Sequence, residues 1–80
     1  MKVTHAQAVQ AGYGHKKITV ELENGSGERK TFSATTNNMP DYDAASDLRE
    51  DDIQGYYDAL YHLVDHKIAD QVAEWETREE

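Results

Sequence analysis

The sequence predicts an α+β domain, ordered α-β-β-α-α, in which a β-hairpin packs on one long C-terminal helix. Three observations carry this. Ile53, Tyr57, Leu60, Val64, Ile68, Val72 and Trp75 follow one another at steps of three or four, so they share one helical face. Residues 16–23 alternate, with Ile18, Val20 and Leu22 on one side and Lys17, Thr19, Glu21 and Glu23 on the other. A Gly25-Ser26-Gly27 loop then returns the chain into a second strand carrying Phe32 and Ala34.

At the N-terminus, Thr4 and Gln7 form a capping-box pattern and Gly12 supplies a stop, which predicts a short helix over residues 5–11. Such a helix is too short to be stable alone and needs Val9 and its alanines packed on a neighbour. Residues 1–3 have the character of a short added strand. Tyr13-Gly14-His15 reads as a plain turn, its glycine spacing matching no phosphate loop.

Parity sets the hairpin register. A two-residue Asn24-Gly25 turn would place Phe32 opposite Lys17, on the wet face. A three-residue loop with Gly27 in the left-handed region instead pairs Asn24 with Glu28, Val20 with Phe32, Ile18 with Ala34 and Glu23 with Arg29. The outer face, with Thr19, Thr31, Ser33 and Thr35, can remain solvated, while the hairpin edges stay open unless another strand or a second copy covers them.

After the sheet, Asn38 is placed to cap a helix over residues 39–47, with Pro40 in its first turn and Tyr42, Ala45 and Leu48 turned inward. The long helix then runs over about residues 51–77, with Asp51 as cap and Gln54 completing a capping box. At ~1.5 Å per residue it forms a rod of roughly 39 Å, enough to span and overhang so small a body. The expected core is Val9, Ile18, Val20, Leu22, Phe32, Ala34, Leu48, Ile53, Tyr57, Leu60, Val64, Ile68, Val72 and Trp75, with Tyr56 and Leu63 widening the apolar arc. That arc is broader than two strands cover, so a homodimer is one expected use of the surplus.

Eighty residues make one domain, near the lower size for a self-sufficient core. The absence of Cys excludes disulfides and thiolate metal sites. No apolar run approaches ~18 residues and no signal-peptide pattern opens the chain, so no membrane association is expected and a cytoplasmic setting is. The net charge of −8 is unevenly spread. Residues 1–38 carry five basic and three acidic side chains, +2, whereas residues 39–80 carry three basic and thirteen acidic, −10. Such a C-terminal half repels nucleic acid, and it either attracts a basic protein surface or serves only to keep a small protein soluble.

The segments GYGHKKITVELENG, ERKTFSATTNNM and DYDAASD resemble small acidic proteins of Bacteroides-type gut bacteria and their mobile elements, over residues 5–47. The resemblance implies a bacterial setting and transfers no activity and no site residue.

Two clusters are candidate sites. Asp58, His62, His66 and Asp70 stand four apart in one helical stripe, and histidines at i and i+4 can share a Zn²⁺ or Ni²⁺ ion. Leu63 follows the first histidine where a zincin needs Glu, and the stripe lies ~150° from the apolar face, where solvated residues belong. Asp41, Asp43, Asp47, Glu50, Asp51 and Asp52 crowd twelve residues. A Ca²⁺ loop counted from Asp41 fails, with Ala45 and Ser46 at its fifth and sixth places and Asp52 at its twelfth. Collectively, however, carboxylates on small helices can imitate nucleic-acid phosphates toward a basic groove.

Catalysis is not expected: Ser26, Ser33 and Ser46 lie in turn, strand and helix contexts without a nucleophile motif. The leading expectation is a non-catalytic acidic interaction module, an inhibitor or regulator of a basic nucleic-acid-handling protein, without cofactor. A metal-responsive domain using His62 and His66, and a purely structural accessory domain, are the alternatives.

Overall fold

The computed structural model describes residues 2–37 and 39–78. Three strands come first: β1 (Lys2–Gly12), β2 (His15–Glu23) and β3 (Arg29–Thr36). Two helices follow, α1 (Met39–Leu48) and α2 (Ile53–Arg78). The strands form one antiparallel meander in the order β1-β2-β3, and the helices cover one of its faces.

The expected N-terminal helix over residues 5–11 is instead the central part of β1. A seven-residue helix closes few backbone bonds, whereas a strand there pairs along most of the free side of β2. The register slips between Val3 and His5, so the inward positions change from Val3 to Ala6 and Ala8. Val9, expected in the core, therefore points outward and is 50% exposed. Thr4 does not cap a helix: its hydroxyl donates to the Glu21 carbonyl (3.1 Å) and carboxylate (2.7 Å).

The β2–β3 hairpin has the register that parity requires, with Ile18 opposite Ala34, Val20 opposite Phe32 and Glu23 opposite Arg29. Gly27 takes φ +86° at the turn. Asn24 organises the loop: its backbone N–H donates to Glu28 (2.9 Å), and its Oδ1 accepts from the N–H of Ser26 (2.9 Å) and Glu28 (3.0 Å). Arg29 Nε and Glu23 Oε2 close a 3.2 Å ion pair beside it.

Leu60, Val64 and Ile68 of α2 lie fully buried against Ile18, Val20 and Leu22, and Val72 and Trp75 extend that stripe. The expected core changes at its N-terminal end. Tyr56 and Leu63 are buried, Tyr57 is half-buried, and Leu48 (45%) and Ile53 (50%) are exposed. The helix begins at Ile53, two residues later than expected, because Asp52 is the cap: its carbonyl accepts from the Tyr56 N–H at 3.0 Å. Gln54, freed from a capping box, donates instead to the Val3 carbonyl at 2.8 Å. The proposed cap Asn38 and the strand residue Met1 lie outside the described residues.

The longest extent of the molecule is 39 Å, the length of α2 itself. The helix spans the body without a free overhang, since Trp75 packs edge-to-face on Phe32 at 5.7 Å. No described helix is long and apolar enough to cross a membrane.

Candidate functional site

The six clustered carboxylates belong to α1 and the link into α2. Asp41 sits in the first turn of α1, where the positive helix end favours it. Asp47 stands in the last turn, where no basic residue offsets the negative end. The chain then folds tightly, with the N–H groups of Asp51 (3.0 Å) and Asp52 (2.7 Å) both donating to the Leu48 carbonyl. This turn presents Glu50, Asp51 and Asp52 on successive residues. All six side chains are exposed, and among the described residues none forms an ion pair. The Asp52 carboxylate lies over the first turn of α2, so near Gly55 that a Cβ there would meet Oδ2 at 2.7 Å.

Beside these acids lies an aromatic group that sequence spacing does not reveal. Tyr42 of α1 and Tyr56 and Tyr57 of α2 converge on β1, where the His5 ring meets Tyr57 at 5.4 Å. The Tyr56 and Tyr42 phenols are neighbours in this group. Burial, then the neighbouring Tyr42 phenol, pushes the Tyr56 hydroxyl above its ordinary pKa of 10.0, while Arg49, 5.6 Å over its ring, acts in the opposite sense. Lys16 similarly sits 4.7 Å over Tyr42. Tyr42, Arg49, Tyr56 and Tyr57 surround a cleft of about 200 Å³ that borders residues 5–8 of β1 and is edged by Ile53. Its signal was present only as a run of tyrosines, because its far wall exists only when the N-terminus is a strand.

The histidine stripe is laid out as an exposed face. Asp58, His62, His66 and Asp70 are all exposed. Asp58 accepts a long 3.4 Å bond from Gln54, and His66 Nδ1 lies 4.0 Å from Asp65 rather than against Asp70. Among the described residues, no three or more His, Asp or Glu side chains are grouped to hold a metal ion. Asp58 and His62 do border a second cleft, of about 400 Å³, with Lys2, Gln54 and Tyr61. Burial, followed by Asp65 and Glu76, raises the Tyr61 hydroxyl above its ordinary value.

The structure thus spreads the six acids along α1 and the link into α2, with an aromatic cleft beside them. The stripe stays on solvent. No family model, curated protein or solved structure matches the chain.

Proposed function

We propose that the protein is a non-catalytic interaction module whose acidic helical layer docks on a basic protein surface, of the kind that ordinarily holds a nucleic-acid backbone. The observation that supports this most is the state of the six carboxylates: all are exposed, none is in an ion pair among the described residues, and they occupy one helix and its elbow. A solubilising charge has no need of one location, and Asp47 stands where it opposes the α1 dipole. A cytoplasmic bacterial or mobile-element setting accords with such a role, as an inhibitor or regulator that competes for a phosphate-binding groove.

The test replaces the set with neutral isosteres: Asp41, Asp43, Asp47, Asp51 and Asp52→Asn together with Glu50→Gln. Asn caps a helix about as well as Asp, so α2 keeps its start. The immobilised wild type is expected to retain basic nucleic-acid-handling proteins from a bacterial lysate and release them as salt rises. The folded variant is expected to lose them. Retention of the same proteins by both forms would remove the acids from the function.

A further inference from the structure

The sheet has two edges, and the chain treats them differently. β3 is guarded: it opens with Arg29 and Lys30, and Lys67 of α2 donates onto its Thr35 carbonyl. Charged side chains and such coverings are how folded proteins keep an edge from pairing with another chain. β1 is the other edge, and from Val3 to Gly12 it contains no Lys, Arg, Asp, Glu or Pro. Gln54 covers the Val3 carbonyl, ahead of the register slip. Beyond it, Ala6 to Gln10 pair regularly with Val20 to Lys16, leaving a run of about 16 Å with one side of its backbone unpaired to any strand among the described residues.

The tyrosine cleft lies along that same run. Residues 5–8 form one wall, and Tyr42, Ile53 and Tyr57 belong to the other. An incoming strand would therefore find backbone partners on β1 and apolar surface for alternate side chains, the combination used in strand-addition recognition. Arg49 lines the cleft itself, but the residues flanking its helical wall are acidic in balance, which favours a basic occupant. Tyr42 stands between Asp41 and Asp43, Ile53 follows Asp51 and Asp52, and Tyr57 precedes Asp58. All five carboxylates are exposed.

We propose that the β1 edge over residues 5–10 accepts an extended, basic segment of a partner protein as a fourth strand, its apolar side chains seated in the Tyr42–Ile53–Tyr57 cleft. The basic charge of the segment rests on the acidic-surface reading above; the strand pairing does not. A second copy of this chain is the less suited occupant, because pairing β1 with β1 brings two halves of charge −10 together.

The probe is an end-capped decapeptide of alternating Val and Lys, with a fully N-methylated version and a Val/Glu version as controls. Backbone hydrogen exchange is followed at β1, and affinity is followed against salt. The Val/Lys peptide is expected to slow exchange at residues 6–10. N-methylation or Glu for Lys is expected to weaken binding at least tenfold. Ile53→Lys, a change at a half-exposed position, is expected to weaken it similarly with only a small change in melting temperature, and Tyr57→Lys provides a second block of the same wall. Equal binding of the N-methylated peptide, with β1 exchange unchanged and affinity still salt-sensitive, would overturn strand addition and leave the acidic surface in place. Absence of binding by every basic peptide would also overturn it, whatever the lysate capture shows. Slowed exchange at residues 6–10 on raising the protein concentration alone would assign the edge to a second copy instead.

Discussion

The Tyr56 phenol is buried beneath Arg49 and beside Tyr42, so ionising it leaves an anion with little water. Its folded pKa lies above the 10.0 of the exposed group, as does that of Tyr61. Below pH 10 both states hold their protons and the full stability is present. Above it the unfolded chain releases protons that the folded chain retains, so stability falls as pH rises. Urea unfolding at pH 9 and pH 11 is expected to show that fall, and Tyr56→Phe is expected to reduce its slope. A second local test concerns Gly55. Alanine there adds about 1 kcal/mol of helix propensity, but its Cβ displaces the Asp52 carboxylate from the first turn of α2. Capping by Asp is itself worth about 1 kcal/mol, so Gly55→Ala alone is expected to be nearly neutral. In an Asp52→Ala background the same change is expected to stabilise by about 1 kcal/mol, a coupling that a double-mutant cycle of denaturation midpoints reads directly.

Along α2, even spacing conceals uneven packing. Ile53 and Trp75 occupy equivalent places in the sequence stripe, yet Ile53 is half exposed at the elbow while Trp75 closes the core over Phe32. Trp75→Ala is expected to cost roughly 3–5 kcal/mol, and Ile53→Ala under about 1 kcal/mol, by chemical denaturation. Comparable costs at the two positions would mean that the elbow is enclosed in solution. The hairpin was legible because a strand has period two and a one-residue error inverts its faces, which left a single loop length compatible with an inward Phe32. The first element was not legible, for the same reason turned around. Its slip between Val3 and His5 puts the buried Val3 and Ala6 three residues apart, a helical interval, and Ala6, Ala8 and Ala11 favour helix locally. Pairing with β2 overrides that preference, and no local pattern announces it. Of the candidate site, the acids were evident as charge. The cleft beside them depends on β1 and so could not be read.

At the scale of the whole molecule, the sheet and the helical layer differ sharply in charge. Residues 1–38 carry +2 and residues 39–80 carry −10, and only Arg49, Lys67 and Arg78 interrupt the acidic part. Two of these cations face other duties: Arg49 sits over Tyr56, and Lys67 binds the Thr35 carbonyl. The exposed carboxylates of α1 and the elbow are consequently repelled by one another more than they are held by bases, and this repulsion lowers stability over distances that salt screens within about 10 Å at 0.1 M. Thermal stability is therefore expected to rise between about 0.02 and 0.5 M NaCl, and the rise is expected to shrink in the six-fold neutral variant. Asp47→Asn relieves both the repulsion and the clash with the α1 dipole, and is expected to raise stability by about 0.5 kcal/mol at low salt. A fall in stability with added salt would mean that attractive pairs dominate the surface. A gain in stability accompanied by loss of the lysate partners would place these carboxylates among residues retained for binding against their cost to the fold.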